Sequence, residues 1–468
     1  MRKTKIVCTL GPACEAEDKL RQLILNGMNV ARFNFSHGDF EEHGGRFKNI
    51  KKISEEENKI VATLLDTKGP EIRTGKFKDK KVLLEKGSEV VIRHEDIEGD
   101  ATQFSCTYKT LHEDVKPGDI IMIDDGLIEL DVVAIEGKDV KTVVRNEGPV
   151  STYKGMNLPN INTQLPAMTD KDKADLQFGV EKGYDFVAAS FVRKASDVDE
   201  IRAFFAEHGD NDIKIISKIE NQEGIDNFEE ILEASDGIMV ARGDLGVEIP
   251  PQKVPAYQKY ILQRCLEEGK FAITATQMLD SMQDNPRPTR AEVSDVANAV
   301  YDGTGATMLS GESANGDYPI ESVKMMSLID EETEADLDYE LNFETELRDF
   351  EPATVATSVA QAAVMASFNL EADIIVAVTN DVEEVGQISK FRPEAPIVIG
   401  FTNARAARQA NLHWGVVPVI IEEGDNQIEK VKAAAAEKGL LEAGHLVIEL
   451  DGCECKGLTS MKVTEYEG

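Results

Sequence analysis

Short apolar runs alternate along the chain with longer, polar-faced stretches, and the alternation repeats. Eight runs stand out: Thr4–Leu10, Asn29–Phe35, Ile60–Leu65, Asp185–Phe191, Lys214–Ile219, Gly237–Ala241, Phe271–Thr276 and Gly305–Leu309. Most lead through a polar or glycine turn into a segment with apolar residues at helical spacing. In one such segment, Thr289 to Asp302, Pro288 precedes a capping box formed by Thr289 and Glu292. Eight strand-then-helix units predict an α/β fold whose parallel strands close into a (β/α)8 barrel of the TIM type.

A long interval of different texture separates the third and fourth runs. Alternating apolar and polar residues are punctuated at Pro117-Gly118, Asp125-Gly126, Glu136-Gly137 and Glu147-Gly148. Turn signals at roughly ten-residue spacing predict a small all-β unit, here an inserted β-barrel lid domain over 70–165. It would leave the barrel after the third strand, on the face where such barrels carry their active sites. The remaining segments, 1–69 and 166–340, match the roughly 250 residues of a typical barrel.

Beyond the barrel, the strongly acidic stretch Glu331–Glu351 predicts a solvated helix and connector. A C-terminal α/β domain over 350–468 follows. Its expected strands are Ile374–Val378, Pro396–Ile399, Val416–Ile421 and His445–Leu450, in a largely parallel sheet with helical stretches such as Ala353–Ala366.

Composition narrows the function. Among 468 residues, 51 are Lys or Arg and 86 are Asp or Glu, a formal net charge of −35. Such a chain repels phosphate backbones, which argues against nucleic-acid binding by bulk charge. The basic N-terminus is followed by too short an apolar stretch for a signal peptide, and no apolar run approaches a membrane span, so a cytoplasmic protein without a membrane partner is expected. The six cysteines show no CxxC or zinc-finger spacing, and the close pair Cys453 and Cys455 reads as reduced surface thiols.

Candidate chemistry clusters at the ends of the barrel runs. In Arg32-Phe33-Asn34-Phe35-Ser36-His37, period-2 alternation puts Arg32, Asn34 and Ser36 on one face and both phenylalanines on the other. That face suits an oxyanion beside a weakly charged metal site, or simply a polar strand end bonded to its own loop. Asp66-Thr67 ends the third run with hard oxygen ligands, and Arg73 adds a bidentate phosphate fork. Gly69 to Phe77 only faintly resembles a P-loop, being one residue too long and lacking the final Ser or Thr. Lys218 and Glu220 lie on alternate strand positions, as a structural ion pair or as functional groups. Asp244, in Ala241-Arg242-Gly243-Asp244, can complete a divalent site with Glu220. Thr276-Gln277 and Ser310-Gly311-Glu312 close the ring. No helical HExxH, no GxGxxG and no Ser/His/Asp triad is present. Two carboxylates, a neutral-oxygen cluster, one lysine and several arginines are the parts needed to place a phosphoryl group and neutralise its charge.

These segments resemble a known family. Arg2–Pro12, Asn29–Gly38, Asp66–Gly75, Lys154–Pro159, Ser217–Glu220, Met239–Glu248 and Asn285–Val293 together look like pyruvate kinase, in order, from residue 2 to about 330. The resemblance implies transfer of a phosphoryl group from phosphoenolpyruvate to ADP with Mg2+ (or Mn2+) and K+. It implies Arg32, Lys218 and Thr276 as catalytic, and Arg32, Lys218, Ala241, Arg242, Gly243, Asp244 and Thr276 around the substrate. Asn34, Phe35, Ser36, His37, Arg73 and Lys154 would serve the nucleotide. Glu220 and Asp244 would ligate the divalent ion, and Asn34, Ser36, Asp66 and Thr67 the potassium, with Glu71 accompanying a potassium requirement. A homotetramer is implied as well.

Two other functions stay open at this point: a phosphoenolpyruvate/pyruvate-type barrel lyase or aldolase, and a catalytically silent metabolite-binding regulator. The chain also departs from family members activated by a sugar bisphosphate. Thr379-Asn380-Asp381-Val382-Glu383-Glu384-Val385 carries three carboxylates where those members have a phosphate-binding loop. Asp451–Gly457 is equally unlike their glycine-rich effector loop. Fructose 1,6-bisphosphate is therefore not expected to activate this protein.

Overall fold

The computed structural model describes residues 1–350, 354–453 and 457–468. All eight apolar runs form strands: β1 (Lys5–Thr9), β2 (Val30–Asn34), β3 (Ala62–Asp66), β4 (Phe186–Ala189), β5 (Lys214–Ile219), β6 (Gly237–Ala241), β7 (Phe271–Ala275) and β8 (Ala306–Leu309). They close into a barrel in sequence order, every pair parallel. Period-2 alternation sorts their side chains. Val7, Val30, Leu64, Phe186, Ile216, Met239 and Met308 pack into one core, while Ile6, Cys8, Ala31, Phe33, Leu65 and Val187 join the larger core with the surrounding helices. Gly237 has a steric reason: a Cβ there would lie 2.2 Å from the Phe271 ring.

The helix Arg290–Tyr301 begins as expected. Thr289 and Glu292 form a reciprocal capping box, which satisfies backbone donors that the first helical turn leaves free.

Between β3 and β4 the chain builds a seven-stranded sheet, mostly antiparallel, with its own apolar core. Its first strand, Ile72–Arg73, pairs with its last, Gly155–Asn157, so the chain enters and leaves side by side. A bridge between Thr74 and Cys106 joins the two ends of the sheet.

The C-terminal sheet contains Ile374–Val378, Ile397–Phe401, Val416–Ile420 and Leu446–Cys453 in parallel, plus an antiparallel edge strand, Gly457–Glu465. That fifth strand is absent from the sequence expectation. It is mostly exposed, so no apolar run marks it. The helix expected from Ala353 is described from Val355 to Leu370, Ala353 itself lying outside the described residues. Cys455 and the middle of the Asp451–Gly457 segment also lie outside them. This sheet docks beneath the barrel, at the strand N-termini: Arg408 pairs with Asp185 at 2.8 Å, and Lys5 Nζ donates to the Val416 carbonyl at 2.6 Å. The opposite end of the barrel is left open to the inserted unit.

The acidic stretch after β8 is less solvated than its composition suggests. Glu334 is buried and accepts hydrogen bonds from the backbone N–H groups of Lys3 and Thr4 at 2.8 and 2.5 Å. Phe343 and Leu347 join the C-terminal core. Acidic residues interleaved with apolar ones along this segment hide an apolar face that joins barrel to sheet. Among the described residues, no helix is long and apolar enough to cross a membrane.

Candidate active site

The barrel mouth inherits the alternation of its strands. Arg32, Asp66 and Lys218 lie two positions beyond Val30, Leu64 and Ile216, continuing the same strand faces as polar groups. Arg32 Nε donates to Asp66 at 2.6 Å and its Nη1 to Thr9 Oγ1 at 2.7 Å. Lys218 Nζ lies 3.3 Å from the other Asp66 oxygen, 2.8 Å from Glu220 and 2.8 Å from Ser190 Oγ. Two cations and two carboxylates thus alternate in a row, all of them buried.

Electrostatics within the row are uneven. Burial would push the Asp66 carboxyl up, but Arg32 and Lys218 outweigh it and hold it below the usual carboxylate range. Burial likewise opposes the charge on Lys218, yet Asp66, Glu220 and Asp244 keep its ammonium protonated well above the ordinary lysine value. Glu220 goes the other way. Burial, reinforced by Asp244, pushes its carboxyl up to about 7 despite Lys218 and a 2.6 Å hydrogen bond from the Phe191 N–H.

The potassium candidates meet around β2 and β3. Asn34 and Asp66 are partners in the β2–β3 register. Asn34 Oδ1 accepts from the Ser36 N–H at 3.1 Å. Thr67 Oγ1 accepts from the Ser190 N–H at 3.1 Å, and Ser190 Oγ donates to the Thr67 carbonyl at 2.7 Å. Just beyond, Gly69 runs so close to the end of β4 that a Cβ would sit 2.8 Å from Ser190 Cβ, and its φ of +72° favours glycine.

On the far side, Gly243 N–H donates to Thr276 Oγ1 at 2.7 Å. Thr276 holds φ at +70°, an uncommon conformation for a β-branched residue. Asp244 is exposed at the mouth, in the first turn of the helix Arg242–Glu248. Ala241 is buried at the end of β6 and offers only its main chain to a ligand.

The side chains of two candidate residues, Arg242 and Phe35, are engaged within the protein. Arg242 does not reach into the mouth: its guanidinium donates to the Thr276 carbonyl at 2.8 Å and pairs with Asp295 at 2.7 Å, bracing the loop after β7. A substrate contact at that position is left to the backbone. Phe35 is buried and stacks on His43 with centroids 4.1 Å apart. Alternation had already put it on the core side. His37 is exposed, and its carbonyl bonds the His43 ring at 2.8 Å.

The inserted unit brings Arg73 and Lys154 to this end of the barrel. Arg73 Nε donates to Glu71 at 2.7 Å, and Glu71 also lies 3.6 Å from Lys68. Lys154 pairs with Asp124 at 2.7 Å. Beside Asp124, Asp125 has its carboxyl pushed up by partial burial, then by Asp124 and by Asp244 across the cleft.

Sequence inspection missed Ser190, which touches both Lys218 and the Thr67 carbonyl. Its signal was its place at the end of the fourth run, equivalent to Asp66 and Lys218 on theirs. It also missed Thr9 at the end of β1 and Asp172, whose carboxylate accepts the Gly69 N–H at 3.0 Å. The last two were hidden because their partners are distant in sequence.

The chain is similar to known proteins along nearly its whole length. The family profile "Pyruvate kinase, barrel domain" matches residues 1–323, and "Pyruvate kinase, alpha/beta domain" matches 357–463. A curated pyruvate kinase from Clostridium acetobutylicum is 49% identical over 98% of this chain and 98% of its own length. One from Staphylococcus saprophyticus is 50% identical over 98% of this chain and 80% of its own. The crystal structure of a pyruvate kinase from Cryptosporidium parvum superimposes with a TM-score of 0.95 at 38% identity, covering 99% of this chain and 96% of that one. A barrel mouth of alternating cations and carboxylates, an inserted β unit and these matches over nearly the full length mark the chain as a member of the pyruvate kinase family.

Proposed function

We propose that the barrel mouth transfers the phosphoryl group of phosphoenolpyruvate to ADP, giving pyruvate and ATP. The observation that carries this is the buried row Arg32–Asp66–Lys218–Glu220, with Arg73 and Lys154 of the inserted unit at the same end. Arg32 and the permanently charged Lys218 present fixed positive charge to a phosphoryl group, where a preorganised charge is worth most. Lys218 acts by charge and not as an acid, because its neighbouring carboxylates hold its proton. Gly243, Asp244 and Thr276 bind the rest of phosphoenolpyruvate, and the Thr276 hydroxyl, alone or through water, relays the proton to the enolate carbon. Asn34, Ser36, His37, Arg73 and Lys154 face the nucleotide, and closure of the 70–165 unit over it excludes water.

The donor set fits the cations the family uses. Glu220 is a buried carboxylate that a divalent ion would relieve, and Asp244 stands exposed within its electrostatic reach. Among the described residues no three His, Cys, Asp or Glu side chains form a ready cage, so Glu220 and Asp244 would leave positions for substrate oxygens and water on Mg2+ or Mn2+. Asn34, Ser36, Asp66 and Thr67 offer the hard oxygens that K+ takes. When bound, these ions neutralise the oxygens of the transferring group. The family relationship also supports a homotetramer in the cytoplasm. Neither the lyase or aldolase alternative nor the silent regulator draws support from the matches.

The test is pyruvate release, followed by coupling it to NADH oxidation, from phosphoenolpyruvate with Mg2+ and K+. Release that requires ADP is expected. Pyruvate formed equally without ADP would point to a lyase or phosphatase, and no pyruvate at all to a silent binder.

A further inference from the structure

The helix Arg242–Glu248 meets the inserted unit at its far end. Glu248, only 9% exposed, accepts a hydrogen bond from Asn157 Nδ2 at 2.7 Å. Asn157 ends the last strand of the inserted unit, three residues after Lys154. One residue earlier in the helix, Val247 lies 3.7 Å from where a Gly126 Cβ would be. Gly126 belongs to a turn in which Asp124, Asp125 and Gly126 all adopt positive φ, +56°, +55° and +80°. Asp124 in that turn holds Lys154. Both segments that position Lys154 therefore rest on one end of this helix, and Gly243 and Asp244 occupy its other end. Beside the contact lies a cavity of about 230 Å³, lined by residues of both units, among them Asn157, Glu248, Asn221 and Asp244. The two units thus leave open space between them there.

We propose that Glu248 is a positioning residue: through Asn157 it docks the inserted unit on the helix that carries Gly243 and Asp244, and so sets Lys154 over the nucleotide site. This rests on the function proposed above. Lid residues serve the nucleotide and barrel residues serve phosphoenolpyruvate, so loosening the dock acts on one substrate and spares the other. Gln at 248 still accepts from Asn157, whereas Ala does not.

The experiment compares wild type, Asn157→Ala, Glu248→Ala, the double variant and Glu248→Gln in the full chain. Asn157→Ala and Glu248→Ala each raise KM for ADP about tenfold, the scale of a lost hydrogen bond to a charged group. KM for phosphoenolpyruvate stays within about twofold and the double variant is no worse than either single one, as expected for two ends of one contact. Glu248→Gln restores the ADP value, and hydrogen exchange of amides 153–157 speeds up only in the alanine variants. If Glu248→Ala does not fold, Asn157→Ala and Glu248→Gln still decide the matter. An unchanged KM for ADP in folded Asn157→Ala overturns the proposal. So does a parallel loss for both substrates that tracks thermal stability. A wild type without ADP-dependent turnover would instead overturn the function, and the exchange data would still report the dock.

Discussion

Lys218 Nζ sits between two carboxylates, 2.8 Å from Glu220 and 3.3 Å from Asp66, and Ser190 Oγ takes a further hydrogen bond. Asp66 keeps a second cation in Arg32, whereas Glu220 has Lys218 alone among its ion pairs in the described residues. Lys218→Met therefore removes the charge aimed at the phosphoryl group and strands Glu220. Turnover should fall by about 10³-fold or more. Breaking a buried pair costs about 3–5 kcal/mol, but Glu220 can take up a proton, so the fold should persist with a lowered melting temperature. Near-normal turnover in this variant would remove Lys218 from the chemistry.

The raised pKa of Glu220 makes a prediction about metal and pH. Its folded value is about 7 against an ordinary 4.5, so between these the folded protein holds a proton that the unfolded chain has released. Stability from this group is present at low pH and is lost as pH rises through 7. A divalent cation competes for the same carboxylate, so added Mg2+ should raise the melting temperature little at pH 5.5 and markedly at pH 8. Glu248, also held near 7 by burial, steepens the metal-free trend without touching the metal increment. Equal increments at both pH values would place the metal elsewhere.

Thr276 combines a strained backbone with a hydroxyl bonded to Gly243 N–H. Thr276→Ser keeps the hydroxyl and removes the β-branch, so activity within a few-fold of wild type and equal or higher stability are expected. Thr276→Ala loses the hydroxyl at the same backbone angle and should lose roughly 10²-fold in kcat, the scale of one proton-transfer group. Parallel steady-state kinetics on the pair separate the two effects. If serine is as poor as alanine, the methyl group and not the hydroxyl is what the site needs.

The Thr379–Val385 loop is already committed internally. Thr379 Oγ1 donates to Glu384 at 2.7 Å, and Asp381 accepts the Glu383 N–H at 2.9 Å to cap the helix Val382–Ser389. With Asp381 and Glu384 bonded to the loop's own amide and hydroxyl groups and Glu383 exposed beside them, the loop meets a sugar bisphosphate with negative charge. Adding fructose 1,6-bisphosphate should leave half-saturation by phosphoenolpyruvate unchanged, and a several-fold decrease would show that the loop rearranges.

The barrel was legible because each of its strands is buried on both faces and writes a continuous apolar run, and the ends of those runs expose the polar residues that face the mouth. Lys218 and Glu220 could be paired from strand alternation alone. Ser190 and Asp172 were not visible, since a serine at a strand end or an aspartate in a capping box has a sufficient local explanation. Phe35 and Arg242 stand in the matched motifs as well. Position in a motif brought them to the site, while packing on His43 and a salt bridge to Asp295 turn their side chains away. The edge strand Gly457–Glu465 escaped notice because exposed strands carry little apolar signal.

The central claim is that one phosphoryl group moves from phosphoenolpyruvate to ADP at this barrel mouth. Phosphorus NMR of the protein with phosphoenolpyruvate, ADP, Mg2+ and K+ tests it most directly. The phosphoenolpyruvate resonance should decline one for one with growth of the ATP γ-phosphate, and omitting K+ should slow both together. Conversion of that resonance to inorganic phosphate, or its persistence in the complete mixture, would contradict the account.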